Sequence, residues 1–236
     1  MGSFKPFHRC SNIAEAHAAF DQHGFCIIAS GMSDQTLSSW DGFMQQCVHQ
    51  LEAAPPDWQG YRGSGRHSFN VMSDSLANNH YYNCFRSLID LHDLLARIHN
   101  CSPNATNEWK KGSYYVKSNG GDVCKAEEHK YQKLHSDWEE YPLHDCHYGI
   151  PLVASIALCN IPKSFAPIRI VSKDRFVVQT LPCDDQGSIW GHEYFACLEK
   201  GDILLRDCRV PHSGTPNTTL RNRCLPGIVI LSPEWC

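Results

Sequence analysis

Apolar residues recur with a helical period in the first half of the chain. The residues 12–22 follow this period, and so does a second set that shares one helix face, Leu88, Leu91, Leu94, Leu95 and Ile98. Between them, Gly24-Phe-Cys-Ile-Ile-Ala is an apolar run typical of a buried strand. We also predict a helix from an N-cap at Ser33 to about residue 52, and a polar, glycine-containing loop over 58–80.

The pattern changes from about residue 113, where short runs of strand-forming residues are separated by Gly, Pro, Asn and Asp. These runs are residues 113–117, 152–158, 168–171, 176–178, 203–205 and 227–231. Helices followed by many short strands predict helices packed outside a β-sandwich or barrel. We expect one domain over 1–236, with a helical part over about 1–110 and a β core over about 113–236.

Charge, hydrophobicity and cysteine content make some classes of function less favoured. The formal net charge is −4, and no basic cluster is longer than Lys110-Lys111, so nucleic acid is not a favoured partner. No run of about 18 apolar residues indicates a membrane span. The 13 cysteines are scattered without a CxxC pair, which favours reduced thiols in a cytoplasmic protein.

One candidate for chemistry is the segment His135-Ser136-Asp137. On an extended strand, side chains two positions apart face the same side, so the imidazole and the carboxylate can bind one metal ion. A third ligand would complete the facial triad of a non-haem Fe(II) site. The spacing alone is weak evidence, because about one such pair is expected by chance in a chain of this composition.

A second pattern lies nearer the C terminus, where Gly201-Asp202 precedes His212, Asn217 and Arg223. We predict a strand that ends at His212, a Gly/Pro/Asn turn, and an adjacent antiparallel strand that carries Arg223 on the same inner face. Arginine binds a carboxylate through two parallel hydrogen bonds and keeps its charge. A histidine followed by Asn at +5 and Arg at +11 is expected by chance only about 0.03 times.

Both patterns resemble the phytanoyl-CoA dioxygenase (PhyH-like) family of Fe(II)/2-oxoglutarate-dependent oxygenases. Leu134-His135-x-Asp137 followed by Tyr141-Pro142 looks like the family's first metal-binding block. The stretch from Gly201 to Arg223 is similar to its distal-histidine block. Residues 20–28 also look like the family's opening helix-to-strand segment.

The resemblance implies a fold, a reaction and a set of ligands. The fold would be mostly β with flanking α, a double-stranded β-helix (jelly roll) with the N-terminal helices outside. The protein would be a dioxygenase that uses Fe(II), 2-oxoglutarate and O2 to hydroxylate a small molecule, or to oxidise its C–H bonds in a related way. Iron would be bound by His135, Asp137 and His212, and the far carboxylate of 2-oxoglutarate by Arg223 rather than Arg221.

Five further residues are weaker candidates. Ser155 could bind the 2-oxoglutarate carboxylate beside Arg223, or be an ordinary buried serine. Tyr115 and Lys117 share a strand face and could line the pocket, Tyr115 near the co-substrate and Lys117 near the substrate, or lie on a solvated edge. Arg62 and Arg66 could close over an acidic substrate as part of a Gly/Ser loop, or simply be solvated.

Two other classes of protein stay open at this point. A zinc-dependent hydrolase or lyase could use the same two histidines and one aspartate. A non-catalytic member of the fold could keep the pocket for binding alone. Arg223 favours the oxygenase, because a zinc hydrolase has no need of a carboxylate-binding residue at that spacing.

Overall fold

The computed structural model describes the chain in segments: residues 7–29, 32, 34–38, 40–42, 44, 62, 65–70, 75–101, 113–138, 150–173 and 193–232. Three helices are defined within them: α1 (Ile13–His23), α2 (Ser75–Ser87) and α3 (Ile89–Ile98). Residues 34–38 are also helical.

The strands form two sheets. They are β1 (Arg9–Cys10), β2 (Phe25–Ile28), β3 (Arg66–Asn70), β4 (Tyr115–Cys124), β5 (Leu152–Ile156), β6 (Ile168–Val171), β7 (Glu193–Ala196), β8 (Ile203–Asp207), β9 (His212–Gly214) and β10 (Arg223–Leu231). The seven-stranded sheet has the order β1-β2-β8-β5-β10-β4-β3, and the three-stranded sheet the order β7-β6-β9. Among the strand pairs of the described residues, only β1–β2 is parallel.

Two hydrophobic cores lie on opposite faces of the larger sheet. Neighbouring residues of β8 alternate between them: Leu204 packs between the two sheets, whereas Ile203 and Leu205 face outward. The outward cluster also contains side chains of all three helices, among them Phe20 and Phe85. Successive strand residues point to opposite faces of a sheet. The larger sheet therefore packs against the helices with one face and against the smaller sheet with the other. The expected mostly-β jelly roll is confirmed.

Local chemistry explains the limits of α1. The Asn12 side chain caps the helix by accepting from the backbone N–H of Glu15 at 3.0 Å, and the Glu15 carboxylate accepts in return from Ser11 N at 2.9 Å. The helix ends at Gly24, which has φ 77° and donates to Phe20 O at 2.7 Å. A side chain there would lie 2.6 Å from Val210 Cγ2, so glycine is required by both conformation and packing.

Most predicted elements are confirmed, including α1, α3, β2 and the strand runs near 115, 152, 168, 203 and 227. The loop predicted over 58–80 was wrong, because that stretch contains β3 and the start of α2. Strand β3 is polar and pairs along Gly120 and Gly121 of β4, so backbone hydrogen bonds rather than alternating apolar residues define it. The predicted strand over 176–178, and the predicted helix at Ser33 and beyond residue 44, lie outside the described residues.

Within the described part of the chain, no helix combines the length and the hydrophobicity needed to cross a bilayer. Nine cysteines lie in the described ranges, and all nine are free thiols.

Candidate metal and co-substrate site

His135 and Asp137 lie on an extended segment that runs antiparallel to residues 208–212 outside the named strands. The backbone of His135 exchanges both hydrogen bonds with His212, at 3.0 and 2.8 Å, and Asp137 N donates to Cys208 O at 2.9 Å. In place of the predicted strand, the structure has only this short antiparallel pairing. The pairing still keeps the His135 and Asp137 side chains on the same side of the segment. His212 begins β9 rather than ending a strand.

The three predicted ligands come together around one point. Asp137 Oδ1 lies 3.8 Å from His135 Nε2 and 3.6 Å from His212 Nε2, and one donor atom from each residue lies within 4.8 Å of the other two. Each imidazole is oriented through its other nitrogen, because Nδ1 lies 2.9 Å from Lys133 O in His135 and 3.1 Å from Val210 O in His212. With those Nδ1–H groups donating, both Nε2 lone pairs face the shared point.

Arg206 is a residue of this site that the sequence did not identify. Its Nη2 donates to Asp137 Oδ2 at 2.7 Å, and its Nη1 lies 3.1 Å from His212 Nδ1. The guanidinium is buried on β8, directly after the apolar run Ile203-Leu-Leu. That charge inside a buried strand, six residues before His212, was the signal that could have revealed it.

The surrounding charges and burial keep Asp137 and His212 in the protonation states that bind a metal. Burial by itself would raise the pKa of Asp137, but the positive charge of Arg206, followed by the two histidines, outweighs it and holds that pKa well below its usual range. Burial, reinforced by Arg206, lowers the pKa of His212 to about 3. The carboxylate is thus ionised and the His212 imidazole neutral at ordinary pH.

Arg223 lines the same cavity as the three ligands. It begins β10 and is 3% exposed, and its Nε and Nη1 are buried without a hydrogen-bond partner among the described residues. The predicted neighbouring strands for His212 and Arg223 were wrong: β9 belongs to the smaller sheet and β10 to the larger. The two side chains meet because they face each other across the space between the sheets.

Asn217 connects the histidine to the arginine. Its amide nitrogen donates to Lys125 O at 2.9 Å and to Arg221 O at 2.8 Å, and its Oδ1 accepts from Thr219 N at 3.1 Å. These bonds tie the turn to the end of β4 and set where β10 begins. Asn217 therefore acts on the site through the path of the backbone.

Arg66 and Arg62 both line the cavity. Arg66 was predicted in a flexible loop, but it is 7% exposed on β3, and Nη2 donates to Lys130 O at 3.0 Å and Thr215 O at 2.6 Å. Arg62 is exposed, and its backbone N–H donates to Arg66 O at 3.0 Å. The cavity has a volume of about 90 Å³ and is open to solvent at its mouth.

The other candidates do not line this cavity. Tyr115 and Lys117 lie at the opposite end of β4 from Cys124, the residue that pairs with Arg223, about 30 Å and about 23 Å away along the strand. Lys117 is exposed. Ser155 is buried and pairs with Gly227, four residues and about 13 Å along β10 from Arg223, so its predicted contact with the co-substrate stays a prediction.

Comparison with known proteins links this geometry to one family. The sequence profile of the phytanoyl-CoA dioxygenase (PhyH) family matches residues 20–224. No curated protein matches the sequence.

Several solved structures share the fold. AviO1 from Streptomyces viridochromogenes superposes with a TM-score of 0.68 at 14% identity, covering 94% of this chain and 96% of that one. SnoK, a non-haem α-ketoglutarate-dependent carbocyclase from nogalamycin biosynthesis, gives 0.67 at 15%, covering 97% and 87%. EctD from S. alaskensis with bound Fe gives 0.65 at 14%, covering 98% and 83%. EvdMO1 is also similar, but this chain spans only 50% of its length.

Proposed function

We propose that this chain, which belongs to the phytanoyl-CoA dioxygenase family of Fe(II)/2-oxoglutarate-dependent enzymes, couples the oxidative decarboxylation of 2-oxoglutarate to the hydroxylation, or a related C–H oxidation, of a small molecule. One observation carries the proposal: the cavity that contains His135, Asp137 and His212 also contains the buried guanidinium of Arg223, two of whose donors have no partner among the described residues.

The donor set fits an Fe(II) ion. Two neutral imidazoles and one carboxylate form the facial arrangement of non-haem iron oxygenases, which leaves the opposite face of an octahedral ion for other ligands. His135, Asp137 and His212 would each contribute one atom. Arg206 holds Asp137 Oδ2, so Oδ1 is the oxygen directed at the two Nε2 atoms.

The buried guanidinium fits the co-substrate. Nε and Nη1 of Arg223 lack partners within the described chain, and a carboxylate forms charge-assisted hydrogen bonds with guanidinium donors. We assign the far carboxylate of 2-oxoglutarate to Arg223, and keep Ser155 as a second candidate contact because it lies on the same inner face. Bound together, Fe(II) and 2-oxoglutarate supply the activation of O2, with succinate and CO2 as co-products.

The protein's own contribution is orientation and exclusion of water. Arg206, His212 and Arg223 are each less than a tenth exposed, so the two guanidiniums are held in a poorly solvated space, while Asp137 is 41% exposed at the open side of the site. Relatives of this fold include a carbocyclase, an epimerase and an EctD structure that contains 5-hydroxyectoine. We propose hydroxylation as the outcome for this chain, on a small molecule that fits the cavity.

Anaerobic addition of 2-oxoglutarate to the Fe(II)-loaded protein tests the proposal. We expect a weak visible charge-transfer band, and succinate release once oxygen is admitted. Asp137→Ala should abolish the band by removing a ligand, and Arg223→Ala should shift its titration to much higher 2-oxoglutarate concentrations. A wild-type protein without the band, or a band that is unchanged in both variants, would rule out the assignment. Zinc-dependent hydrolysis would instead persist without 2-oxoglutarate.

A further inference from the structure

The cavity carries more positive charge than the iron and its co-substrate require. Among the described residues, four arginines line it, Arg62, Arg66, Arg206 and Arg223, against two carboxylates, Asp122 and Asp137. The charge of Fe(II) is cancelled by that of the 2-oxoglutarate dianion, so binding both does not neutralise the arginines. Arg206 is paired with Asp137, and Arg223 is assigned to the co-substrate, so the buried guanidinium of Arg66 is the charge that needs an explanation.

The register of the larger sheet places Arg66 and Arg223 on either side of Cys124. Both residues pair with Cys124 of β4, one from β3 and one from β10, so the three positions form a row across adjacent strands. Residues in such a row point to the same face of the sheet. The two guanidiniums repel each other, and this repulsion adds to burial in lowering the pKa of Arg66.

Inside the described chain, Arg66 is hydrogen-bonded but not ion-paired. Its hydrogen-bond partners are two backbone carbonyls, those of Lys130 and Thr215, while Asp122 and Glu128 attract it only from beyond ion-pair distance. A buried cation in that position is costly unless an anion accompanies it. The guanidinium also packs over Gly214, two residues beyond His212, where an added Cβ would collide with Arg66 Nη1. The cation is therefore held close to the metal ligands.

We propose that Arg66, with Arg62 at the cavity mouth, binds an anionic group of the substrate, a carboxylate or a phosphate, while Arg223 binds the co-substrate. This inference rests on the proposed function, because it assigns 2-oxoglutarate to Arg223. The substrate class is thus a small organic acid or phosphate ester, oriented so that its uncharged part faces the metal.

Inorganic phosphate and acetate serve as probes for the two kinds of anion. Each is titrated by calorimetry into the anaerobic Fe(II) protein already saturated with 2-oxoglutarate, with the visible band recorded in parallel. We expect saturable binding of one probe with the band retained, and at least tenfold weaker binding in Arg66→Gln. The stronger probe identifies the group: phosphate for a phosphate ester, acetate for a carboxylic acid.

Two further variants, Arg62→Gln and Arg97→Gln, control for misfolding and for general charge effects. Arg66→Gln removes two hydrogen bonds to backbone carbonyls, so its melting curve is compared with that of wild type. Arg62→Gln changes an exposed residue and should weaken probe binding about threefold even if Arg66→Gln does not fold. Arg97→Gln removes an exposed charge of α3 outside the cavity lining and should leave binding unchanged.

The inference fails if neither probe binds, if Arg62→Gln and Arg66→Gln bind the probes as Arg97→Gln does, or if the probes displace 2-oxoglutarate and erase the band. In the last case Arg66 would belong to the co-substrate site. Failure of the proposed function is distinct, because the wild-type protein would then show no band before any probe is added.

Discussion

Replacing Arg223 by methionine should weaken 2-oxoglutarate binding without weakening the fold. The substitution keeps most of the apolar side-chain volume and removes the guanidinium, whose Nε and Nη1 are buried and unpartnered among the described residues. Two charge-assisted hydrogen bonds contribute about 1.5–3 kcal/mol each. Because the carboxylate also loses solvation on binding, we expect a net loss of about 2–5 kcal/mol. This corresponds to a dissociation constant about 30- to 4,000-fold higher.

The stability of the ligand-free protein should stay the same or rise in this variant, although its affinity for 2-oxoglutarate falls. A structural arginine would leave broken hydrogen bonds behind, whereas a buried cation kept for a ligand destabilises the empty protein. We expect the free energy of unfolding of Arg223→Met to equal that of wild type or to exceed it by about 1–4 kcal/mol. Urea unfolding measures this quantity, and anaerobic titration of the charge-transfer band measures the dissociation constant.

Arg221 provides a matched control two residues away. It is exposed and lies over the Phe165 ring, 5.2 Å from the guanidinium carbon to the ring centre, outside the lining of the metal cavity. Arg221→Met should therefore leave the affinity for 2-oxoglutarate unchanged. Equal losses in the two variants, or full affinity in Arg223→Met, would refute the assignment of the co-substrate carboxylate to Arg223.

Three other changes have measurable consequences. Arg206→Met releases Asp137 Oδ2, and we expect Fe(II) affinity to fall about 10- to 100-fold in anaerobic metal titrations, because the carboxylate is no longer oriented. Burial lowers the pKa of His99 to about 4, so the unfolded chain gains a proton that the folded chain does not as pH falls below about 6.5. At pH 5 this should cost about 1–2 kcal/mol of stability, which His99→Phe should restore in urea unfolding compared at pH 7 and 5. Asp202 accepts from Arg9 at 2.7 Å through both carboxylate oxygens, so Asp202→Ala should lower the free energy of unfolding by about 2 kcal/mol.

Each of these expectations has a result that contradicts it. Tighter Fe(II) binding in Arg206→Met would mean that repulsion between the arginine and the metal outweighs its orientation of Asp137. An equal loss of stability between pH 7 and 5 in His99→Phe and wild type would assign the acid sensitivity to other groups. An Asp202→Ala variant as stable as wild type would show that β1 does not depend on its link to that carboxylate.

Local sequence patterns were sufficient for much of the fold and for the metal ligands. Helices α1 and α3 follow from one-sided apolar periodicity, and the buried strands from short β-branched runs, because both signals arise between residues close in the chain. His135 and Asp137 were identifiable for the same reason, because side chains two positions apart on an extended backbone point to the same side. The polar strand β3 was missed because its defining hydrogen bonds are made to β4, some fifty residues later.

Spacing along the chain was thus enough to identify two histidines, an aspartate and an arginine suited to iron and 2-oxoglutarate. The residues that surround these four are brought there by folding. The row that contains Arg66 and Arg223 depends on strand register. The ion pair between Arg206 and Asp137 depends on how separate segments of the chain pack together. Such contacts join residues 69 or more positions apart, so their geometry exists only once the strands are paired.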